Sequence, residues 1–296
     1  MPVPPGHYRG RFAPSPTGPL HMGSLIAALA SYLEAKKHRG QWLVRIDDLD
    51  PPREQAGAGD SILHALEQHG LHWDEEVLWQ SRRHNAYRDA LEQLTSSGHT
   101  FNCQCSRAEL KPNGSCNGNC QNRREQITSP YATRLIVDAN TTIDFLDQFQ
   151  GSQINTGKSE CSDFIVKRKD GLYAYQLAVV VDDAHQGVTH VLRGSDLLDT
   201  TARQIYLQQV LQVPTPSYAH IPVITNNTGQ KFSKQNHAPA LDEHACLTNL
   251  RYALAFLQQA SAPAEINDRD SLLAFALEHW STQTIPRTMQ CPATPQ

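Results

Sequence analysis

Four cysteines lie close together in the stretch CQCSRAELKPNGSCNGNC. Cys103 and Cys105 form a C-x-C pair, Cys116 and Cys120 form a C-x3-C pair, and a turn-rich loop of ten residues separates the two pairs. Two close pairs of thiol ligands on either side of such a loop suit tetrahedral Zn2+. A disulfide is the alternative interpretation, but the chain reads as cytosolic, where disulfides are rare. The spacing therefore predicts one structural zinc ion.

A second group of residues that could do chemistry lies in RFAPSPTGPLHMGSLIAALASYLEAKK, residues 11–37. Three prolines and a glycine force an extended turn, His21 follows it, and helical apolar spacing begins at Ser24. Free backbone N–H groups and the positive end of a helix dipole meet at such a helix start, so the site suits an anion such as phosphate. Gly23 would let the backbone approach that anion closely. The alternative is an ordinary amphipathic helix that follows a turn with a surface histidine.

Three aspartates, Asp47, Asp48 and Asp50, follow the apolar run Trp42–Val44 in QWLVRIDDLDPPR. An apolar run of this kind is typical of a buried parallel strand, and ligands bind at the carboxyl ends of such strands. Carboxylates beside a phosphate site would repel the phosphate unless they face a cation. A substrate ammonium group or a magnesium ion is therefore the expected complement. A solvated acidic loop that ends at two prolines is the alternative.

Two lysines, Lys231 and Lys234, lie three residues apart in KFSKQ, behind a strand-like segment and a glycine-containing loop. Two ammonium groups on a mobile loop could clamp a polyphosphate while negative charge develops in a transition state. The alternative is an ordinary surface loop, because lysine-rich loops are common on protein surfaces.

The elements that must position these groups alternate between strands and helices. Strands are predicted at residues 8–13, 42–44 and 218–224, and helices over SILHALEQHGL, RHNAYRDALEQL, CLTNLRYALAFLQQA and SLLAFALEHW. Between residues 131 and 194 there are several β-like runs, including DFIVKRKDG, which leads across a turn into YAYQLAVVV. These runs are expected to supply the second half of the sheet, so the predicted fold class is α/β.

Composition and charge exclude several classes of protein. The 296 residues are 39% hydrophobic and 19% charged, which suits a globular protein of one large or two modest domains. A net charge of −4 at pH 7 does not suit a protein that coats nucleic acid, so contact with RNA needs a local basic patch. The N-terminus lacks a signal-peptide core, and no run of about 18 apolar residues occurs, which argues against export and membrane insertion. We therefore predict a cytoplasmic protein.

The order of these motifs resembles that of the class I aminoacyl-tRNA synthetases. HMGS at positions 21–24 resembles the HIGH signature of that family, and KFSKQ resembles its KMSKS loop. RFAPSPTGPLHMGS and RIDDLD resemble the glutamate-specific branch, and the agreement extends over residues 9–240. Segments such as SLIAALASYL, DPPRE, LAVVVDD and KQNHAPAL resemble a truncated branch whose members attach glutamate to the base queuosine in tRNA(Asp).

This resemblance implies a Rossmann-type class I synthetase catalytic domain over residues 1–240, with a small zinc-binding insertion at residues 101–122. Only 296 − 234 = 62 residues follow Lys234, fewer than the roughly 100 that a further domain usually needs. We therefore expect residues 241–296 to form a short helical C-terminal subdomain and expect no anticodon-binding domain.

The resemblance also implies which residues form the site. The catalytic residues would be His21, Lys231 and Lys234. ATP would contact His21, Gly23, Ser24 and Lys234, and glutamate would contact Arg11, Ala13, Ser15, Asp47, Tyr175 and Arg193. Ser24 stands where the HIGH signature has its second histidine, and Asp47 stands where the family usually has glutamate. The substrate ammonium group would therefore meet a carboxylate whose side chain is one methylene shorter.

The implied reaction is ATP-dependent activation of L-glutamate without tRNA, with Mg2+ accompanying ATP. Transfer of the glutamyl group to queuosine at the wobble position of tRNA(Asp) would follow. Such chemistry needs charge neutralisation and in-line geometry more than it needs a general base. We expect a monomer. The alternatives are a minimal glutamyl-tRNA synthetase that charges the tRNA 3′ end and a catalytically silent, zinc-bearing RNA-binding module, against which His21, Lys231 and Lys234 argue.

Overall fold

The computed structural model describes residues 7–123, 126–156, 162–226 and 240–293. Its strands are β1 (Arg9–Phe12), β2 (Gln41–Ile46), β3 (Leu78–Trp79), β4 (Thr100–Cys103), β5 (Ala132–Leu135), β6 (Thr142–Asp147), β7 (Gly151–Thr156), β8 (Phe164–Lys167), β9 (His190–Gly194), β10 (Ser217–Ile221), β11 (Val223–Thr225) and β12 (Gln290–Pro292). Its helices are α1 (Met22–Lys37), α2 (Ala58–Gln68), α3 (His84–Ser96), α4 (Asn119–Asn122), α5 (Tyr175–His185), α6 (Leu198–Leu211), α7 (Cys246–Phe256) and α8 (Arg269–His279).

A mostly parallel sheet organises the fold. β1 pairs with β2 and β2 with β3, while β9 pairs with β10 and β10 with β6, all of them parallel. The two halves meet where β9 lies beside β1, and the backbone N–H of Thr189 donates to the Arg9 carbonyl at 2.9 Å. Across the sheet the strands lie in the order β3-β2-β1-β9-β10-β6. The chain adds the first three strands outward on one side of β1 and the later strands on its other side, as in doubly wound folds, which bind ligands at this switch point. The predicted α/β class is confirmed.

The two faces of this sheet are covered by different helices. Trp42, Val44 and Ile46 of β2 belong to the same apolar core as α1. Arg45, which alternates with them, reaches Asp183 of α5 instead. Because successive side chains of a strand point to opposite faces, α1 and α5 lie on opposite sides of the sheet.

The C-terminal helices pack on the α1 side. Leu250 of α7 and Leu272 of α8 are fully buried in the core that α1 shares with β1 and β2. A parallel pair between β11 and β12 also fixes the last described strand beside the second half of the sheet. The C-terminal helices were predicted correctly, and the domain boundary at residue 240 stays a prediction.

A predicted strand is interrupted at Pro222. The sequence favoured one strand over residues 218–224, whereas the structure has β10 ending at Ile221 and β11 beginning at Val223. Proline has no N–H to donate to a neighbouring strand, so the ladder stops there. β10 consequently belongs to the central sheet, and β11 pairs with β12.

The interpretation of YAYQLAVVV as β-like is wrong, because residues 175–185 form helix α5. The preceding strand β8 and the turn at Gly171 are present as predicted. Valine disfavours a helix by less than about 1 kcal/mol, whereas burying each such side chain stabilises the fold by roughly 1.5–3 kcal/mol. The consecutive buried residues 177–180 therefore form a helix packed on several sides, and a helix of that kind lacks the amphipathic period.

Helix length bears on membrane insertion. The longest helix among the described residues, α1, has 16 residues, whereas a membrane span needs about 20. Within the described ranges, no helix combines the length and apolar character needed to cross a bilayer. The cytoplasmic location and the monomeric state stay predictions.

Candidate active site

A cleft of about 660 Å3 opens at the switch point of the sheet. The carboxyl ends of β1, β2, β9 and β10 and the first turns of α1 and α5 form its walls. The predicted site residues that line it are Arg11, Ala13, Ser15, His21, Gly23, Ser24, Asp47, Tyr175 and Arg193. The structure thus brings together residues that are up to 182 positions apart (193 − 11) in the sequence. Lys231 and Lys234 lie outside the described residues.

Both flanks of the segment that carries the two lysines meet the cleft. Before that segment, Val223 and Ile224 line the cleft wall. After it, Ala240 forms an antiparallel bridge with His21, and Leu241 N donates to the Leu20 carbonyl at 3.0 Å. The described residues therefore bring both ends of the segment to the first turn of α1.

His21 caps the N-terminus of α1. Its backbone is extended, with φ −121° and ψ 169°, and its Nδ1 accepts a hydrogen bond from the backbone N–H of Ser24 at 3.2 Å. Because Nδ1 accepts, the proton of the neutral ring is on Nε2, which lies 3.1 Å from Ser24 Oγ. Ser24, where the HIGH signature has histidine, therefore orients the first histidine of the motif.

The first turn of α1 is open to an anion. It contains no acidic residue, so the positive end of the helix dipole is not neutralised there. A Cβ atom at Gly23 would lie 3.2 Å from the His21 ring and from Ile224, closer than ordinary contact. Glycine therefore allows the histidine ring and β11 to approach the helix start.

A buried ion-pair network connects β1 and β2 to α5. Arg11 donates to both oxygens of Asp183 at 3.2 and 3.3 Å, and Arg45 donates to the same carboxylate at 2.6 Å. Arg45 Nε also donates to Asp47 at 2.9 Å. Because each of these side chains is less than 10% exposed, the network holds Arg11 and Asp47 in fixed positions at the cleft.

Asp47 has an unusual proton affinity for an aspartate. Burial raises its pKa to about 6, although the adjacent Arg45 guanidinium acts in the opposite direction. The side chain is therefore mostly ionised at pH 7 but takes up a proton under mildly acidic conditions. A cation that enters the cleft would stabilise the ionised form.

The other two aspartates of RIDDLD contact protein groups instead of the cleft. Asp48 accepts hydrogen bonds from the backbone N–H and the hydroxyl of Ser81, at 2.8 and 2.6 Å. Asp50 forms ion pairs with Arg53 and with Arg168. Of the three aspartates, only Asp47 lines the cleft. The expectation that all three carboxylates face one cation therefore holds for Asp47 alone.

Arg193 lies at the end of β9 and is 5% exposed. Its Nε donates to His220 Nε2 at 2.9 Å, its Nη2 donates to Thr201 Oγ1 at 2.9 Å, and its plane lies over the Tyr218 ring at 5.5 Å. The remaining nitrogen, Nη1, is buried and has no hydrogen-bond partner among the described residues. An unpaired buried donor on a cleft residue is suited to an acceptor brought by a ligand.

Several supporting residues were missed by the sequence analysis. Arg45, Asp183 and His220 belong to no predicted site, yet each hydrogen-bonds a cleft residue. Two signals were available in the sequence. One is the charged Arg45 between Val44 and Ile46 of β2, and the other is the acidic pair 182–183 that follows three valines. Tyr175 was predicted as a site residue and lines the cleft from the first turn of α5.

The four clustered cysteines come together at one point. Their sulfur atoms all lie within 4.8 Å of one another, and Cys105 Sγ lies 3.8 Å from Cys116 Sγ and 3.5 Å from Cys120 Sγ. A tetrahedral zinc ion with Zn–S bonds of about 2.3 Å places its sulfur ligands about 3.8 Å apart. Burial raises the pKa of Cys103 to about 11, so a bound cation is needed to keep it ionised. The donor set and its spacing fit a zinc ion.

The cysteine cluster is fixed to the rest of the chain by polar contacts. Cys116 N donates to Asp163, which also forms an ion pair with Arg134 of β5. Lys169 donates to the carbonyls of Gln104 and Cys105 at 2.7 and 2.9 Å. The cluster is therefore attached to the antiparallel sheet formed by β4, β5 and β8.

Comparison with protein families gives a match over most of the chain. Residues 7–255 match the family described as tRNA synthetases class I (E and Q), catalytic domain. A protein of Serratia proteamaculans called glutamyl-Q tRNA(Asp) synthetase is 48% identical over 284 residues, which cover 95% of this chain and 92% of that protein. A protein of the same name from Neisseria meningitidis serogroup B is 46% identical and covers 95% of this chain and 98% of that protein.

Solved structures with a similar fold are larger proteins. A glutamate tRNA ligase from Elizabethkingia meningosepticum superposes with a TM-score of 0.80 at 23% sequence identity. The match covers 97% of this chain and 67% of that one. A glutamate-tRNA synthetase from Elizabethkingia anophelis gives the same TM-score at 24% identity. The overall fold is therefore shared with these enzymes.

Proposed function

Because the chain belongs to the class I tRNA synthetase family for glutamate and glutamine, and is thus an aminoacyl-transfer ligase, we propose that it activates L-glutamate with ATP and without tRNA. The glutamyl group is then transferred to the queuosine base at the wobble position of tRNA(Asp). The full-length similarity to proteins called glutamyl-Q tRNA(Asp) synthetase supports the second step.

One observation carries the assignment of glutamate. The buried charged side chains that line the cleft are Arg11, Arg193 and Asp47. Their signs are opposite to those of the two carboxylates and the ammonium group of glutamate, although within the protein Arg11 also pairs with Asp183 and Asp47 with Arg45. Guanidinium groups match carboxylates in shape as well as charge. We assign the ammonium group to Asp47, and Ala13, Ser15 and Tyr175 complete the pocket.

The first turn of α1 supports phosphate binding. Its open dipole, His21, Gly23 and Ser24 would contact ATP, which enters as a complex with Mg2+. A carboxylate oxygen of glutamate attacks the α-phosphorus, and pyrophosphate leaves from the opposite side. Lys231 and Lys234 would neutralise the charge that develops on the phosphates.

Exchange of labelled pyrophosphate into ATP tests this proposal. The exchange should require glutamate and should proceed in the absence of any tRNA. A protein that exchanges pyrophosphate only after tRNA is added would instead behave as a minimal glutamyl-tRNA synthetase. Absence of exchange under both conditions would leave only a non-catalytic role.

Replacement of Asp47 by asparagine should weaken glutamate binding. Asparagine keeps the shape of the side chain but removes its charge, which should cost about 1.5–3 kcal/mol of binding free energy for a charge-assisted hydrogen bond. Asp47→Glu should be tolerated or should improve binding, because glutamate is the usual residue of the family. The measurement is calorimetric titration with glutamate. Asp48→Asn is the matched control, because Asp48 contacts Ser81 and does not line the cleft.

The pH dependence of glutamate binding should identify the same carboxylate. As pH falls through about 6, Asp47 takes up a proton and loses the charge that holds the ammonium group. Affinity should therefore be constant above this pKa and fall below it, levelling off at about the affinity of the Asp47→Asn protein. The Asp47→Asn protein should lack this step. Equal affinity in the wild type and in Asp47→Asn would exclude Asp47 as the ammonium ligand.

We further propose that Cys103, Cys105, Cys116 and Cys120 bind one structural zinc ion. Metal analysis should find one zinc per chain, and Cys103→Ser should lose it. Because the metal couples to local folding, the melting temperature should fall by roughly 5 °C or more. Cys291→Ser is the control, since Cys291 lies outside the cluster. A zinc content far below one per chain, with Cys103→Ser as stable as the wild type, would refute the site.

A further inference from the structure

A buried row of three side chains lies behind the cleft. Asp147 is at the end of β6, His220 is on β10 and Arg193 is on β9. Asp147 Oδ2 lies 2.5 Å from His220 Nδ1, and Arg193 Nε donates to His220 Nε2 at 2.9 Å. The side chains of Asp147 and His220 are both 0% exposed, so water does not compete for these contacts.

The chemistry of the two neighbours determines the tautomer of His220. The guanidinium Nε of Arg193 can only donate, so His220 Nε2 must accept. The carboxylate of Asp147 can only accept, so His220 Nδ1 must carry the proton. Although burial alone would raise the pKa of Asp147, the hydrogen bond from His220 holds that pKa below its usual value.

The other oxygen of Asp147 is also fully engaged. Oδ1 accepts from the backbone N–H groups of Phe149, Gln150 and His220, at 3.1, 2.9 and 3.2 Å. The carboxylate therefore binds the turn between β6 and β7 and the backbone of β10 at the same time. Its orientation relative to the His220 ring is fixed by these three donors.

We propose that Asp147 and His220 are positioning residues for the substrate carboxylate. Asp147 keeps His220 in the Nδ1–H tautomer, and the free lone pair on Nε2 then holds Arg193 so that its unpaired Nη1 is available to a carboxylate in the cleft. This inference rests on the proposed function, in which Arg193 binds glutamate.

The chain of hydrogen bonds from Asp147 through His220 to Arg193 is called the relay below. Replacement of Asp147 by asparagine tests the relay without changing the shape of the side chain. The three backbone donors keep the amide oxygen at the Oδ1 position, so the NH2 group faces His220 Nδ1. His220 must then accept at Nδ1 and carry its proton on Nε2, which places two donors, Nε2–H and the Nε–H of Arg193, against each other. In pyrophosphate exchange, the KM for glutamate should rise about tenfold or more, while kcat and the KM for ATP stay within about twofold of wild type.

The matched control is Asp144→Asn, because Asp144 is an exposed residue on the same strand. Its KM for glutamate should equal that of the wild type. A folded Asp147→Asn protein with a wild-type KM for glutamate would overturn the proposal.

A second pair of variants covers the case in which Asp147→Asn does not fold. The amide oxygen of His220→Gln can reach the Nε2 position and accept from Arg193, whereas the amide of His220→Asn can reach only the Nδ1 position. The KM for glutamate should therefore be lower in His220→Gln than in His220→Asn. The reverse order, or equal values, would contradict the relay.

NMR of the 15N-labelled imidazole rings separates failure of the relay from failure of the proposed function. The wild-type spectrum should show His220 protonated on Nδ1, and Asp147→Asn should move the proton to Nε2. A wild-type ring protonated on Nε2 would overturn the relay, whatever the kinetics. Correct tautomers without any glutamate-dependent exchange would refute the role in glutamate binding and, with it, the proposed function.

Discussion

Replacement of Lys234 by alanine is expected to lower the rate of glutamyl-adenylate formation by on the order of a hundredfold or more. The affinity for glutamate should stay within about twofold of wild type. The difference arises because the ammonium group would act as negative charge moves onto the leaving pyrophosphate, and not while the amino acid binds. An effect confined to the transition state appears in kcat rather than in KM.

Described residues support the location that this prediction needs. Val223 and Ile224 line the cleft before the lysine segment, and Ala240 pairs with His21 after it. Described residues on both sides of Lys234 in the sequence therefore lie at the cleft in which we propose that the phosphates bind. His21 and the first turn of α1 would contact the same phosphates.

Pyrophosphate exchange and glutamate titration measure the two quantities separately. Lys111→Ala is the control, because Lys111 is an exposed lysine and does not line the cleft. An exchange rate in Lys234→Ala equal to that of the wild type would refute the assigned role. Loss of glutamate affinity together with rate would mean that the lysine supports the pocket and not the transition state.

Residues at the ends of strands could be predicted well from the sequence. Arg11, Asp47 and Arg193 were implied by the resemblance to the synthetase family, and the parallel strands that carry them end at the same edge of one sheet. Because doubly wound sheets bind ligands at that edge, a strand order of this kind brings these side chains to one cleft. The helix start at His21 follows from local turn and helix signals in the same way.

Residues that support the site from behind could not be predicted in this way. Arg45 and Asp183 are 138 positions apart, and Asp147 and His220 are 73 positions apart. No local pattern relates such partners, since each contact exists only after helices and strands have packed. For the same reason, the hydrogen bonds of Asp48 to Ser81 could not be distinguished beforehand from a contact with a substrate cation.

The wrong prediction of a strand where helix α5 lies has a related cause. Its valine-rich sequence favours a strand locally, and only contacts with α3, α6 and β8 select the helix. That helix carries both Tyr175 at the cleft and Asp183 behind it. An extended segment would place these two residues at a different separation. The tertiary contacts that select the helix therefore also determine the geometry of the site.

Transfer of glutamate to queuosine should depend on the modified base and not on the tRNA 3′ end. The glutamyl-adenylate is a mixed anhydride, and a hydroxyl must attack its carbonyl carbon while AMP leaves. The cyclopentene ring of queuosine supplies such a hydroxyl at the wobble position, whereas unmodified guanine has none on its base. Labelled glutamate should therefore join tRNA(Asp) that carries queuosine and should not join the unmodified RNA.

In the proposed reaction, the mouth of the cleft receives an unstacked base of the anticodon loop. Arg53 lines the cleft and its side chain is 67% exposed, while Arg168, 38% exposed, shares the carboxylate of Asp50 with it. Arg168 also pairs with Asp170, so two carboxylates balance the two guanidinium groups, and the exposed Arg53 is the group that a phosphate of a loop can contact. Single-stranded loops are bound through splayed bases and such local contacts, so the net charge of −4 is no obstacle.

Three RNAs compared with labelled glutamate and ATP distinguish the two possible acceptors. Queuosine-containing tRNA(Asp) and the same RNA without its 3′-terminal adenosine should be labelled equally, because the terminal ribose plays no part in the proposed reaction. Unmodified tRNA(Asp) should give no labelling above background, since its wobble base lacks the nucleophile. Ordinary charging of the 3′ end would give the opposite pattern, with labelling lost on trimming and retained on unmodified RNA. That pattern would falsify transfer to queuosine but would leave the activation of glutamate intact, because adenylate formation precedes the choice of acceptor.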